Sequence, residues 1–243
     1  MNEIDPRRIA ITTALLVVFF VLGVGIVAYT QEKTAEQIRL NQEAVLLGQI
    51  VAVLPASHFD NNPAETAFVL PNPEQLNLGD SVLVAGVTPD AQDLAKAMRA
   101  GQVGFLATKD NQPKAVAVPV VTHRGYSGDI RLLVGVDAEQ TITGVRVLQQ
   151  NETPGLGDKI LSSRTDWILA FDGRSLNDPA SERWTVQKHG GEFDQFTGAT
   201  ISPRAVVEAV HQALVYVNTH YDQLFVMPSP KPDTMPIEEQ ANE

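Results

Sequence analysis

Residues Ile9–Tyr29 read IAITTALLVVFFVLGVGIVAY, 21 positions without a charge, and no other feature limits what this chain can fold into so firmly. At 1.5 Å rise per residue a helix of that length is about 30 Å long, the thickness of a bilayer hydrocarbon core. A core helix of a soluble domain would carry a polar stripe, and Thr12 and Thr13 do not make one. A secretory signal peptide, with Arg7 and Arg8 as its basic n-region, is the competing reading. The apolar run is too long for that, and Ala28-Tyr29-Thr30 is a poor cleavage site. The sequence therefore predicts an uncleaved single-pass anchor, residues 1–30 with a cytoplasmic tip. Arg7 and Arg8 before the span favour an N-terminus inside, although Lys33 and Arg39 follow it. The bulk of the chain then lies outside, which in a bacterium means an inner-membrane protein with a periplasmic domain.

Charge and cysteine content remove several function classes. Eighteen Lys+Arg against 29 Asp+Glu give a net charge of -11. Nucleic-acid partners are excluded by that balance, since phosphate backbones call for clustered positive charge. There are no cysteines, so disulfides, Fe–S clusters, thiolate zinc sites and cysteine nucleophiles are out.

After the anchor, Ala35, Ile38, Val45, Leu46, Ile50 and Val53 recur at helical spacings and Pro55 closes the run, which predicts a stalk helix over 31–55. Residues 56–89 hold Asn61-Asn62-Pro63 and Pro71-Asn72-Pro73 and read as loops and short elements. Strands are predicted at Val103–Thr108, Ala115–Val121, Ile130–Val136 and Thr141–Gln149, with a turn at Lys109-Asp110-Asn111-Gln112 and a slip at Gly144 that suits a bulge. Arg183–Lys188 is a further candidate strand. A helix begins near Pro203, with Val206, Val210, Ala213, Leu214, Val217 and Tyr221 as its apolar stripe. The Pro-rich end, 227–243, reads as a disordered tail. The fold class is α+β: a transmembrane helix and stalk, then a mainly antiparallel sheet domain over 56–226.

Familiar catalytic patterns are missing. Gly125-Tyr126-Ser127-Gly128 has the wrong spacing for a nucleophile elbow, and Gly155-Leu156-Gly157 lacks the third glycine of a dinucleotide fingerprint. The five histidines are scattered, with no metal-ligand spacing. Two stretches remain. Glu152-Thr153-Pro154-Gly155-Leu156-Gly157 follows a predicted strand and makes a tight loop whose backbone N–H groups can approach a ligand. On composition alone, a strand-to-helix connection without a ligand is the stronger reading. In Asp194-Gln195-Phe196-Thr197-Gly198-Ala199-Thr200-Ile201-Ser202-Pro203, Ser202 suits an N-cap and Pro203 the first helical position. Thr200 then precedes a helix N-terminus, where free N–H groups and the dipole favour a phosphate, and Gly198 and Ala199 leave its hydroxyl open. A capped loop with no ligand fits the same residues.

Read together and in this order, the two stretches carry a resemblance. Asp194-x-x-Thr197-Gly198-Ala199-Thr200 resembles the flavinylation motif D-x-x-[ST]-G-A-[ST], and Glu152–Gly157 matches a second signature of the same covalent-FMN-binding family. Tyr126-Ser127-Gly128 and Leu132–Asp137 continue the match. The chain resembles the G-subunit family of Rnf (Rsx) ion-translocating electron-transport complexes, densely from about Gly125 to Val207. The C-subunit family of the sodium-translocating NADH:quinone reductase shares motif and anchor, but Glu152–Ile160 and Gly190–Pro203 are closer to the Rnf family.

The resemblance implies an electron-relay subunit with FMN joined by a phosphoester to Thr200. Asp194, Thr197, Gly198 and Ala199 would be the recognition loop of a separate flavin transferase, which splits FAD with Mg²⁺. Glu152, Thr153, Leu156 and Gly157 would lie against the flavin. Trp184, Tyr126 and Phe196 are stacking candidates, and Lys188 a candidate for the phosphate or the ring. The implied partners are the membrane, the other subunits of the complex and the transferase, with no independent turnover. Two rivals predict different behaviour: a tethered binding or assembly module without flavin, and a self-sufficient periplasmic reductase.

Overall fold

The computed structural model describes residues 6–54, 59–78 and 102–226. The loop expectation for 79–89, the closing Pro55 and the tail 227–243 lie outside the described residues. The chain divides into two compact units, Met1–Ala44 and Val45–Glu243.

Helix α1 covers Pro6–Val51. Within it, Thr13–Gln31 is long and apolar enough to cross a membrane, and none of that segment is buried against protein. A soluble core helix would be buried, so the exposure fits a membrane-anchored chain.

The second unit is built on a sheet. Its strands are β1 (Ala67–Val69), β2 (Asn77–Leu78), β3 (Val103–Lys109), β4 (Gln112–Gly125), β5 (Gly128–Asp137) and β6 (Ile142–Gln149). The order is β1-β3-β4-β5-β6, antiparallel throughout, with two-residue β2 parallel to β4. All four predicted strands are present, β4 and β5 longer than expected. Asp110 and Asn111 both have positive φ (53° and 56°), the geometry of a two-residue hairpin turn. At Gly144 the β5–β6 register does shift, pairing Gly135 with Gly144 and Val136 with Ile142.

Side-chain alternation divides the core in two, because successive residues of a strand face opposite sides. Val116, Val118 and Val120 of β4, with Leu132, Val134 and Val136 of β5, lie under helix α2 (Ile201–Thr219) in one cluster. Ala115, Ala117 and Leu133 face the other way. With Phe105 and Ala107 they enclose Ile50, Val53 and Leu54 at the end of α1. The small residues on this second face let that chain end approach closely. Thr143 Oγ1 donates to the Val53 carbonyl at 2.5 Å.

Three local expectations are corrected. Arg183–Lys188 is not a strand but two short 3₁₀ turns, Ser181–Arg183 and Gln187–His189, joined to Phe193 by a single bridge from Val186. Trp184 anchors this segment in the core by its ring, so no ladder forms. Helix α2 begins at Ile201, and Ser202 is buried in its first turn rather than capping it. Its stripe ends in fully buried Tyr216 and Val217, while Tyr221 belongs to a separate turn, Tyr221–Leu224.

His211 of α2 stacks on Trp184 with ring centroids 5.2 Å apart. Burial lowers its pKa below the ordinary 6.5. The unfolded chain therefore takes up a proton before the folded one does. The neutral ring's contribution is fully present above pH 6.5 and is lost as pH falls from there through the folded value. Thermal melts between pH 7.5 and 5 should show a shallower acid-side loss of Tm for His211→Gln than for the parent chain; parallel curves would refute this.

Candidate functional site

Two turns of the same kind face each other at one end of the sheet. In Thr153-Pro154-Gly155-Leu156 the Leu156 N–H donates to the Thr153 carbonyl at 3.1 Å, and Gly155 has φ 77°. Proline then glycine at the centre is the pattern of a type II turn, which needs positive φ at its third residue. In Phe196-Thr197-Gly198-Ala199 the Ala199 N–H donates to the Phe196 carbonyl at 3.0 Å, and Gly198 has φ 82°. A Cβ on Gly198 would come no closer than 4.0 Å to anything, Leu156 Cδ2 being nearest. Backbone conformation, not space, selects glycine there.

Between the turns lies a cleft of about 250 Å³, lined by Tyr126, Glu152, Thr153, Leu156, Gly157, Gly198, Ala199, Thr200, Ile201 and Ser202. This is near the lower end of ordinary ligand pockets, roughly 300–1,000 Å³. Its rim is open and apolar: Tyr126, Leu156 and Ile201 are 70%, 44% and 41% exposed. Among the described residues, no Lys, Arg or His lines it.

The loop after β6, the β4–β5 turn and the first turn of α2 meet on one carboxylate. Glu152 is 5% exposed. Its Oε1 accepts from the Ser127 N–H at 3.1 Å, in the β4–β5 turn, and its Oε2 accepts from Ser202 Oγ at 2.7 Å, in the first turn of α2. Glycines make room for it. A Cβ on Gly157 would sit 2.5 Å from Oε2, and one on Gly125 2.8 Å from Oε1. Behind the loop, buried Asp158 accepts from the Gly155 N–H at 2.6 Å and pairs with Arg164 at 3.1 Å. Glu152→Ala leaves the Ser127 amide and Ser202 hydroxyl without a partner, a cost of about 1–3 kcal/mol. Denaturant unfolding should show that loss; a change within about 0.5 kcal/mol would mean that the clamp is dispensable.

Thr200 is the N-cap of α2, yet its backbone is helical (φ -87°, ψ -17°) and its side chain makes no capping hydrogen bond. A capping side chain normally needs an extended backbone. Among the described residues the hydroxyl makes no hydrogen bond, and the residue is half-buried in the cleft, beside the N–H groups and positive dipole end of the first turn. That arrangement suits a phosphate.

Of the nine expected site residues, the cleft brings together Thr200, Ala199, Gly198, Glu152, Thr153, Leu156 and Gly157. Asp194 and Thr197 are exposed and lie outside its lining. Tyr126 alone of the stacking candidates lines it. Trp184 is core, against Phe171, Phe193 and His211, and Phe196 packs on Trp167. Exposed Lys188 is not in the lining; its N–H donates to Gln195 Oε1 at 3.0 Å. Sequence reasoning missed the place of Ser202 in the wall, because an isolated Ser-Pro at a helix start looks like a cap.

Residues 125–215 match the FMN-binding domain family, and the exposed apolar span of α1 fits a membrane-anchored protein. The chain is 42% identical to the G subunit of the ion-translocating oxidoreductase complex of Vibrio cholerae (El Tor Inaba N16961), covering 89% of this chain and 93% of that one. It is 39% identical to the protein of that name in Pseudomonas aeruginosa PAO1 (90% and 93% covered) and 37% to that of Shewanella oneidensis (88% and 92%). The chain belongs to the G-subunit family of ion-translocating oxidoreductase complexes.

Proposed function

We propose that this chain is the electron-relay subunit of such a complex, carrying FMN as a phosphoester on Thr200. One observation carries the reading: within the FMN-binding region, an uncommitted threonine hydroxyl stands at a helix N-terminus inside a cleft. FMN supplies one- and two-electron chemistry when bound. The chain's own residues do the rest. The first-turn N–H groups and the α2 dipole would hold the phosphate. Thr153, Leu156 and Gly157 would flank the ring system, with Tyr126 and Ile201 at the rim.

Attachment uses FAD as co-reactant. Thr200 Oγ1 bonds to the phosphorus of the FMN half, the bond from that phosphorus to the AMP phosphate oxygen breaks, AMP leaves, and the hydroxyl proton passes to solvent. A threonine hydroxyl is a weak nucleophile unaided, and the cleft lining holds no His or Lys, so a separate Mg²⁺-assisted flavin transferase performs the step. Asp194 and Thr197, exposed beside the cleft, suit recognition by it. Residues 1–30 anchor the chain in a bacterial inner membrane, 31–55 form the stalk, and 56–226 face the periplasm, where a covalent bond prevents loss of the cofactor.

Co-expression with a flavin transferase, followed by intact mass and flavin fluorescence on a denaturing gel, tests the reading. The expected result is a mass gain of one FMN less water. No gain, with the transferase active on a control substrate, would leave a tethered binding module.

A further inference from the structure

Trp167 lies outside both motif stretches and outside the cleft, yet it touches the Asp194–Thr200 loop twice. Its Nε1–H donates to the Asp194 carbonyl at 2.9 Å. Its ring meets Phe196 edge-on, with centroids 5.2 Å apart at 66°. Trp167 is itself held firmly. It is the second residue of the 3₁₀ helix Asp166–Phe171, capped by Thr165, whose Oγ1 accepts from the Trp167 N–H at 3.3 Å. Ile168 and Phe171 of that helix are in the core, and Phe171 meets the Trp167 ring edge-on at 5.5 Å.

The loop's groups divide by use. The Asp194 carbonyl, the Gln195 side chain and the Phe196 ring tie it down, on Trp167, the Lys188 N–H and Trp167 again. Asp194, Thr197 and Gly198 remain exposed. An exposed loop would otherwise sample many conformers, and an enzyme reading it would bind only the competent fraction.

We infer that Trp167 is a positioning residue for the modification of Thr200: it fixes the backbone of the 194–200 loop in the form that a flavin transferase binds. The inference rests on the reading of Thr200 as the acceptor. Trp167→Phe keeps a ring beside Phe196 and removes only the donor to Asp194. One such hydrogen bond corresponds to roughly three- to tenfold in a conformational equilibrium. Apparent affinity scales with the competent fraction, while turnover of the bound chain does not.

The test uses the full-length chain in detergent, with purified flavin transferase, FAD and Mg²⁺. Covalent fluorescence is followed over a range of chain concentrations. Trp167→Phe should raise the apparent KM by up to about tenfold with kcat unchanged. Hydrogen exchange should rise over 194–200 while β4 and β5 stay protected. An unchanged KM, or a fall in kcat alone, overturns the inference. So does exchange that rises across the sheet as well, since that marks a general loss of packing. If the parent chain and Trp167→Phe both take no flavin, the Thr200 reading fails; if both load alike, this inference alone fails.

Discussion

Thr200→Val is expected to abolish covalent flavin and leave the fold intact. Valine matches threonine in shape and differs in the one atom that would form the proposed ester. Its cost to the fold is small because Thr200 makes no capping hydrogen bond to lose; a change within about 0.5 kcal/mol is expected. Thr200→Ser keeps the hydroxyl and should keep loading. Intact mass and denaturing-gel fluorescence read both variants against the parent after co-expression with the transferase. Flavin on the valine chain would place the attachment elsewhere, with the exposed hydroxyl of Thr197 the next candidate.

Gly135→Ala should produce a large loss of stability. Gly135 of β5 lies beneath the end of α1, and a methyl there would overlap the Val53 carbonyl oxygen. It would also stand 2.5 Å from Thr143 Oγ1 and 2.9 Å from the Val53 carbonyl carbon. Those are backbone atoms and a hydroxyl already bonded to them, so no flexible side chain can yield. The chain end carrying Ile50, Val53 and Leu54, all 0% exposed, would have to lift from the sheet. Overpacking costs about 1–3 kcal/mol, and re-exposing even one of those side chains adds about 1.5–3 kcal/mol. A loss of about 3 kcal/mol or more corresponds to a Tm drop of roughly 6–12 °C for a domain of this size. Gly144→Ala provides the graded control, since its methyl would meet Val53 Cα at 3.0 Å, and should cost clearly less. Equal melting of the two variants would show that this seat does not hold the chain end.

The parts of the fold that are legible in the sequence are those with a local period. Val116, Val118 and Val120 alternate and read as a strand; Val206, Val210 and Val217 recur with helical spacing and read as a helix. Arg183–Lys188 deceives the same reasoning, because Trp184 and Val186 alternate and are buried, yet they lie between two 3₁₀ turns, Trp184 just after the first and Val186 just before the second. The tight loop at Gly155 is legible, since proline followed by glycine signals a turn; the facing turn at Gly198 and the cleft between the two are not. Trp167 is not legible. It is 27 residues from the Asp194 carbonyl it bonds, and an isolated aromatic in a short segment gives no sign of what its N–H will meet.

Sequence by itself determined the apolar helix, the four long strands and the position of Thr200 at a helix start. Each depends on neighbours within a few turns, through hydrophobic period, turn chemistry and capping. Only the tertiary structure decided that Glu152 meets Ser202 fifty residues later and Ser127 twenty-five residues earlier. It alone placed Trp184 in the core and left the Thr200 hydroxyl free. Those outcomes depend on how α2 and the loop after β6 pack across one end of the sheet. Such packing is a sum of many weak, non-local contacts that no single stretch of sequence records.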